Sequence, residues 1–458
     1  MAKKKTKLFE YRGRRIRVSD KNLVRRFMII SLTPIFLLVF FVINQYWIFD
    51  FAELEKGIES VKISFLNPFS LLVIGSIFLG IFTCIAFRLI YLKCLGEHYT
   101  KLRHRQLISR MFLENGWYEV IKKPDSKREK IILPKTYYSF KHGDIVIHVS
   151  ITMGRYQENL LSLEKKLEVG LFAELIYVEQ QERFIKYILA YDMSGSRIHI
   201  DEVKISKDKM TLMKNVSWNF RKLPHMLIAG GTGSGKTYYI LTLIEIILHT
   251  DANLVILDPK RLDLSNLEVV LPNVYYEQDS MIEAIKGFYE GMVTRADEMK
   301  KMPNYKMGKD YSYMGLPANF LIFDEYVSLI EMLDNKLRVE ILSLLLKIAM
   351  LGRQSGYFVI LACQRPDASY MGSGTRDQFH FRVALGLMSE QGYAMMFGEI
   401  KKKLFFKDIK GRGYVDAGRG VITEFYAPFI DEGHDFLERI GELYKARKEL
   451  NEEEVTNE

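Results

Sequence analysis

Residues 226–237, MLIAGGTGSGKT, decide the fold expected for this chain. The apolar run 226–229 predicts a short buried strand, and the apolar residues that follow Thr237 recur at helical spacing. A strand, a glycine-rich loop and a helix form the context that makes G-x-x-x-x-G-K-[ST] a phosphate-binding loop. A flexible turn before a helix is the alternative, but it does not explain Lys236 and Thr237 in register with both flanks.

The loop residues suit the phosphates of ATP. Glycine lets the backbone wrap so closely that several N–H groups point at one anion, and the helix N-terminus adds partial positive charge. We expect Lys236 to reach the β- and γ-phosphates and the hydroxyl of Thr237 to bind Mg²⁺. The candidate nucleotide-binding residues are Gly230, Gly231, Thr232, Gly233, Ser234, Gly235, Lys236 and Thr237.

A second apolar run ends in adjacent carboxylates. Residues 319–323 (NFLIF) predict a buried strand that leads into Asp324 and Glu325. In this position Asp324 can hold Mg²⁺, directly or through water, and Glu325 can polarise the attacking water. The alternative is a strand end followed by a helix cap, and a shared parallel sheet with the phosphate loop favours the catalytic interpretation.

A third strand is predicted at 357–363, after an apolar-faced helix at 337–351 and the segment GRQSG. It ends at Gln364, whose amide can contact the γ-phosphate or its water if the strand lies beside the phosphate loop. A strand-end residue bonded only to backbone is the alternative for Gln364.

The N-terminal region predicts a membrane anchor. Residues 1–26 carry eleven Lys and Arg against Glu10 and Asp20, and the segments 27–43 and 68–87 are uncharged. Each segment is about long enough for a helix to cross a hydrocarbon core of roughly 30 Å. Positive charge flanks both outer ends, so both termini are expected in the cytoplasm with a short loop outside. A signal peptide and buried core helices are the alternatives; the basic arm can also hold anionic lipid or nucleic acid.

Composition suggests the number of domains, the compartment and the class of partner, but it does not identify the function. The chain has 458 residues, a formal charge of +9, and cysteines at 84, 94 and 363 without metal or redox spacing. Two to three domains are expected, in a reducing compartment, with a mild preference for nucleic acid or an anionic membrane. Residues 97–215 show no catalytic motif and predict a small α+β spacer or assembly module.

Several motifs in one order carry a family resemblance. LIAGGTGSGKT, LVILDPK, FLIFDEY and LGRQSGYFVILACQRPD followed by FRVAL resemble the motor of FtsK/SpoIIIE-type DNA translocases over about residues 215–425. The whole layout looks like the membrane-bound coupling ATPases of Gram-positive conjugative transposons and plasmids, the TcpA type. The resemblance implies a RecA-like domain that forms a homo-oligomer, a hexameric ring around DNA, with ATP held between subunits.

Such a ring needs an arginine that reaches the neighbouring subunit's γ-phosphate, and Arg353 is the candidate. Rivals are Arg365, Arg376 and Arg382, each of which could equally be an ordinary surface arginine. Candidate pore residues are Lys401, Lys402, Lys403, Arg412 and Arg419, which could equally form a solvated face. Little sequence follows Pro428, so no orientation-reading domain is expected, and a relaxase or accessory protein must recognise the transfer origin.

The expected architecture is α/β, with a RecA-like P-loop motor, an N-terminal two-helix transmembrane hairpin and a small α+β middle domain. The expected segments are a basic cytoplasmic arm (1–26), two transmembrane helices with a short extracellular loop (27–92), an adaptor or assembly domain (97–215), the motor (216–430), and a C-terminal helix with an acidic tail (431–458). The expected function is ATP-driven DNA translocation during conjugation, with DNA, membrane, relaxase and transfer-channel components as partners. Alternatives are type VII-like protein secretion, chromosomal DNA translocation, and an adaptor that binds nucleotide only to assemble.

Overall fold

The computed structural model describes residues 12–49, 68–94, 96–122, 129–141, 143–152, 154–366, 373–400, 404 and 407–457. The chain divides into two compact units: Met1–Ala173 with Glu179–Tyr191, and Glu174–Val178 with Asp192–Glu458. Residues 192–215 thus pack with the unit that contains the phosphate loop. The domain boundary expected at 215 stays a prediction.

Two long apolar helices stand at the start of the first unit. After strand β1 (Arg14–Arg15) come helices α1 (Leu23–Phe49) and α2 (Pro68–Cys94). The stretches Val18–Val42 and Ile74–Tyr91 are long and apolar enough to cross a membrane, and few of their residues are buried. That exposure disfavours the alternative of buried core helices. The two helices contact each other closely, since a Cβ on Gly80 would lie 2.8 Å from the ring of Phe36.

The rest of the first unit is a small α+β structure. Its elements are α3 (Gly96–Glu114), β2 (Glu119–Lys122), β3 (Glu129–Ile132), β4 (Thr136–Lys141), β5 (Asp144–Ser150), α4 (Gln157–Leu161), α5 (Glu164–Leu171), β6 (Glu174–Gln180, which crosses into the second unit) and β7 (Phe184–Ala190). Strands β1, β4, β5 and β7 pair antiparallel in that order. His104 on α3 pairs with the Tyr138 hydroxyl at 2.8 Å, and burial lowers the pKa of His104 to about 4.

The second unit is built on one eight-stranded sheet. Its elements are β8 (Lys204–Ser206), β9 (Lys209–Thr211), β10 (Ser217–Asn219), β11 (Met226–Gly230), α6 (Lys236–Ile247), β12 (Asn253–Leu257), β13 (Val274–Tyr275), α7 (Gln278–Met299), β14 (Asn319–Phe323), α8 (Tyr326–Met332), α9 (Asn335–Ser355), β15 (Tyr357–Cys363), α10 (Ser373–Arg376), β16 (Phe381–Leu385), α11 (Glu390–Phe397), β17 (Arg412–Ala417), β18 (Ile422–Tyr426) and α12 (Phe436–Asn457). The order is β13-β12-β14-β15-β11-β16-β17-β18, parallel up to β16 and antiparallel beyond it.

Burial explains why the central strands form. Every residue of β11, β14 and β15 is buried, which is the pattern of parallel strands covered on both faces. The strands expected at 226–229, 319–323 and 357–363 are confirmed. Helix α9 is capped at both ends, since Asp334 accepts the N–H of Leu337 at 2.8 Å and Gly356 adopts φ 81° just after the helix. The α/β fold class is therefore confirmed.

Aromatic rings cover the amino ends of the central strands. Strands β8, β9 and β10 form a separate three-stranded antiparallel sheet. The ring of Trp218, on β10, lies 6.1 Å from that of Phe320 and 6.0 Å from that of Phe381. The ring of Phe220, just after β10, lies 5.2 Å from that of Phe358. All five rings are buried, and the Trp218 indole N–H donates to the carbonyl of Leu223 at 2.8 Å. This aromatic cluster closes the sheet at the end opposite the phosphate loop.

Candidate active site

Strand register brings the phosphate loop and the acidic pair to one level of the sheet. Strand β15 lies between β11 and β14, with Ala229 opposite Cys363 and Phe323 opposite Leu361. The residues that follow these strands therefore emerge together at the carboxyl edge, where ligands of open α/β sheets bind. Gln364, expected next to the phosphate loop, does follow the strand that neighbours it.

The phosphate loop needs its glycines for conformation and for space. Gly233 and Gly235 have φ of 78° and 91°, the left-handed region that other residues rarely adopt. A Cβ on Gly230 would lie 2.5 Å from Ser234 Oγ, and a Cβ on Gly235 would lie 3.2 Å from the backbone nitrogen of Gly411. That nitrogen also donates to the carbonyl of Ser234 at 3.2 Å, so the loop before β17 packs against the phosphate loop and supports it.

Lys236 contacts both carboxylates. Its ammonium donates to Asp324 Oδ1 and lies 3.3 Å from Glu325 Oε2, and all three side chains are largely buried. Charged groups with so little water around them interact strongly, so each of the three holds the others in position. The structure thus brings Lys236, Asp324 and Glu325 together, as the sequence led us to expect.

Glu325 is also held by a backbone N–H, and its own backbone is strained. Its Oε1 accepts the backbone N–H of Gln364 at 3.0 Å, while the Gln364 side chain is exposed. Glu325 itself has φ 45°, a left-handed conformation that costs free energy in a residue other than glycine. Strain of this kind persists where the surroundings over-determine it, and such residues cluster at functional sites.

Lys260 is a member of this site that the sequence did not reveal. Its ammonium lies 3.2 Å from Glu325 Oε2, on the side away from the phosphate loop strand. It belongs to the segment Asp258-Pro259-Lys260 after β12, and Asp258 holds that segment by accepting the N–H groups of Leu262 and Ser265 at 2.9 and 3.0 Å. The motif was visible, but only the adjacency of β12 and β14 shows that Lys260 reaches Glu325.

The residues present fit a magnesium-bound nucleoside triphosphate. The glycine cradle has open space at Gly231 and Gly233, where a Cβ would contact nothing within 4 Å. Ser234 Oγ is buried and has no hydrogen-bond partner among the described residues, so a polar donor is available in the loop itself. Asp324 and Thr237 carry oxygen atoms of the kind that Mg²⁺ prefers, and sites for Mg²⁺ beside phosphates commonly use only one or two protein ligands.

Arg353 lies apart from these residues. It is exposed on the last turn of α9, before the amino end of β15, whereas Gln364 follows the carboxyl end of that strand. Seven strand residues span roughly 20 Å, so Arg353 does not reach the phosphate loop of its own subunit. Arg353 is therefore not placed to act within its own subunit.

The rival arginines differ in their burial and in the hydrogen bonds they donate within the chain. Arg382 is largely buried and donates to the carbonyls of Phe379 and Met396 at 2.7 and 3.2 Å. Arg376 donates to the carbonyl of Met395 at 2.8 Å, and Arg365 to the side-chain oxygen of Gln391 at 3.0 Å. Arg376 and Arg382 therefore brace the backbone around α11, which leaves Arg353 and Arg365 as the exposed candidates.

The prediction that Arg412 lines a DNA channel is wrong. Arg412 is buried, donates to Glu424 Oε1 at 3.0 Å and to the hydroxyl of Tyr414 at 3.0 Å, and so cannot line a channel. The reason is that Arg412 opens strand β17 and faces a carboxylate on the paired strand β18. Arg419 is exposed in the turn between these strands, and Lys401, Lys402 and Lys403 lie outside the described residues.

The fold and the site together define a P-loop ATPase: a glycine-rich loop between parallel strands, with an acidic pair two strands away in the same sheet. The FtsK/SpoIIIE family pattern matches residues 189–304. The FtsK domain-containing protein YdcQ of Bacillus subtilis (strain 168) is 41% identical over 449 residues, 95% of this chain and 91% of that protein. The chain belongs to the FtsK/SpoIIIE family.

More distant relatives share only part of their length with this chain. The DNA translocase FtsK of Helicobacter pylori (strain J99) is 25% identical over 253 residues, which is 51% of this chain and 28% of that protein. The chain thus spans less than a third of that translocase. A solved structure of the pCW3 conjugation coupling protein TcpA, a monomer form with ATPgS, has 19% identity and a TM-score of 0.47, covering 76% of this chain and 99% of that one.

Proposed function

We propose that this ATPase is a membrane-anchored DNA translocase that moves DNA to or through the transfer channel during conjugation of a mobile element. The observation that carries the proposal is the convergence of Lys236, Asp324 and Glu325 beside the glycine cradle, in an FtsK/SpoIIIE member with two long apolar helices at its start. Its distant relatives named as DNA translocases support DNA as the substrate.

The proposed chemistry divides among the site residues. Glu325 acts as the general base that polarises the attacking water, a role worth about 10²- to 10⁴-fold in rate. Lys236 and the loop N–H groups would neutralise the phosphates, and Thr237 with Asp324 would hold Mg²⁺, which would offset charge on the transferred phosphoryl group. Gln364 is linked to Glu325 through its backbone, so a movement of its strand end would be felt at the base.

The site is completed by a second subunit in this proposal. Arg353 lies too far from its own phosphate loop and is free at the surface, which suits an arginine finger that acts on the neighbour. Hydrolysis at such a joint couples phosphate release to relative movement of subunits. The proposed assembly is a homo-oligomeric ring, a hexamer by analogy with the family.

The remaining partners follow from charge and layout. A net charge of +9 suits a polyanion, and contacts mostly to phosphates would be salt-dependent and nearly blind to sequence. A relaxase or accessory protein would then select the transfer origin. The apolar helices would cross the membrane as a hairpin, with both termini in the cytoplasm and the positive arm holding that orientation.

The test uses the full-length protein in detergent or nanodiscs. ATP hydrolysis is measured with and without DNA, across a salt series, for the wild type and for Lys236→Ala. We expect DNA to raise turnover, the rise to fade as salt increases, and the variant to be inactive. Hydrolysis in a protein that neither binds DNA nor responds to it would reject DNA as the substrate. A crosslinked protein substrate would then favour the type VII-like secretion alternative.

A cellular measurement addresses conjugation itself. The frequency of element transfer between cells is compared for wild type and Lys236→Ala, with expression checked in the membrane fraction. We expect transfer to fall to the background level, because no other described residue places an ammonium at both Asp324 and Glu325. Undiminished transfer would separate this ATPase from conjugation.

A further inference from the structure

An exposed aromatic side chain stands immediately beside the phosphate loop. Tyr238 follows Thr237 on the first turn of α6, and 57% of its surface is exposed. The next residue, Tyr239, is fully buried and packs 5.6 Å from the ring of Phe425. Packing in the hydrophobic core therefore explains the presence of Tyr239, but it does not explain the exposed Tyr238.

The Tyr238 ring packs against the ring of Phe436. Its centroid lies 5.9 Å from that of Phe436 at an interplanar angle of 75°, an edge-to-face contact. Phe436 is buried, and the ring of His434 packs 4.5 Å from it. His434 is fixed in turn by Glu245 on α6, with Nε2 and Oε2 2.8 Å apart. A chain of packed groups thus holds the aromatic ring in place while more than half of it stays open.

The helix places this ring on the side of the site that lies away from the carboxylates. Lys236 extends from α6 toward Asp324 and Glu325, which marks where the γ-phosphate end of a triphosphate belongs. Tyr238 is two residues further, about 200° around the helix axis at 3.6 residues per turn. In a nucleoside triphosphate the nucleoside is attached at the α-phosphate, at the opposite end of the chain from the γ-phosphate. From this rotation we infer that the tyrosine lies on the side where the nucleoside end would be bound.

We propose that Tyr238, backed by Phe436, is the stacking surface for the base of the bound nucleotide. This inference rests on the proposed nucleotide site and adds its base subsite. Stacking uses the face of a base and does not read its edge, so purines, with the larger face, are favoured over pyrimidines. Among nucleoside triphosphates the site then prefers ATP and GTP to CTP and UTP, and it separates ATP from GTP only weakly.

Equilibrium binding tests the proposal on the full-length protein in detergent. Titration calorimetry measures the Kd for ATP, CTP and inorganic tripolyphosphate in the presence of Mg²⁺. Tyr238→Ala is expected to weaken ATP binding about five- to hundredfold, the usual range for loss of one aromatic–base stack, and to leave tripolyphosphate binding unchanged. Tyr238→Trp restores the ATP affinity. Tyr313→Ala is the matched control, since Tyr313 is also exposed (49%) and lies in a different part of the unit.

Three results would overturn the proposal. Unchanged ATP affinity in Tyr238→Ala would show that the ring does not contact the base, while the nucleotide site itself would stand. A parallel loss for ATP and tripolyphosphate would assign Tyr238 to support of the phosphate loop. Equal wild-type affinities for ATP and tripolyphosphate would mean that no base subsite exists. Binding of neither ligand by the wild type would instead reject the proposed function, so the two failures are distinguishable.

Discussion

The central strands of the second unit end in two chemically different regions. At their carboxyl ends four charged side chains, Lys236, Lys260, Asp324 and Glu325, meet within hydrogen-bonding or ion-pair distance. At their amino ends the buried rings of the aromatic cluster pack against one another. One end concentrates charge and backbone strain, and the other concentrates apolar burial.

The two ends of these strands make different contributions: one to chemistry and the other to stability. Desolvated charges and the left-handed Glu325 add little net stability, because burial of charge offsets much of their attraction. Buried aromatic rings contribute strongly to stability and do no chemistry. Substitutions at the carboxyl ends should therefore change catalysis more than folding, and substitutions at the amino ends should do the reverse.

Glu325→Gln should give the largest effect. Glutamine keeps the size of the side chain and an oxygen for the Gln364 N–H, but it cannot accept a proton from water. ATP turnover should fall by up to about 10⁴-fold, equivalent to roughly 5 kcal/mol in the barrier, with ATP affinity largely retained. Steady-state hydrolysis and titration calorimetry measure the two quantities. Glu290→Gln, on the exposed side of α7, is the control; unchanged turnover in Glu325→Gln would assign the base elsewhere.

Trp218→Ala should give the next largest effect, on folding. Removal of this buried ring takes contacts from Phe220, Phe320 and Phe381 and leaves a cavity, so the free energy of unfolding should fall by about 4 kcal/mol. Thermal and denaturant unfolding of the solubilised protein measure this loss. At low temperature the folded fraction should keep its turnover per molecule. A loss of turnover as large as that of Glu325→Gln would break the separation of the two ends; Val269→Ala, at an exposed site, is the control.

The sequence was sufficient for the features that depend on local pattern. Strands β11, β14 and β15 were predictable because strands buried on both faces read as unbroken apolar runs, and the charged residues that follow them stand out by contrast. The glycine loop was predictable because its spacing and its flanks agree.

The features that depend on strand order were not predictable. Lys260 reaches Glu325 only because β12 lies beside β14, and Arg412 is buried only because β17 pairs with β18. The support of the phosphate loop by Gly411 joins residues far apart in sequence, and the exposed or buried state of neighbouring tyrosines 238 and 239 depends on what packs against α6. No short window of sequence contains any of these relationships.

A smaller effect should appear in the pH dependence of stability, again at the amino ends. His225 precedes β11 and is fully buried; burial lowers its pKa to about 3. Its Nδ1 accepts the N–H of Val359 at 3.0 Å, so the folded protein keeps it neutral. The unfolded chain protonates it below about pH 6.5, so stability is present above that pH and is lost as the pH falls, by up to about 1.4 kcal/mol per unit.

His225→Asn isolates this contribution. Asparagine retains an acceptor for the Val359 N–H and tolerates the left-handed φ of 65° at this position, but it does not titrate. Unfolding free energies at pH 7 and pH 5 should differ less in the variant than in the wild type. His104 in the first unit, whose pKa burial lowers to about 4, should leave a residual dependence in both proteins. An identical pH dependence in variant and wild type would show that His225 does not contribute to the pH dependence of stability.

Lys260→Met, within the carboxyl-end site itself, should give the smallest effect. Lys260 touches Glu325 Oε2 from the β12 side, so we expect it to position the proposed base rather than to bind the phosphates. Its loss should reduce kcat about tenfold, or roughly 1.4 kcal/mol, while the Kd for ATP stays the same. Lys260→Arg should recover part of the rate because it restores a cation near Oε2. A purely structural lysine would instead lower the thermal stability without this split between kcat and Kd, and Lys306→Met, at an exposed position, sets the baseline.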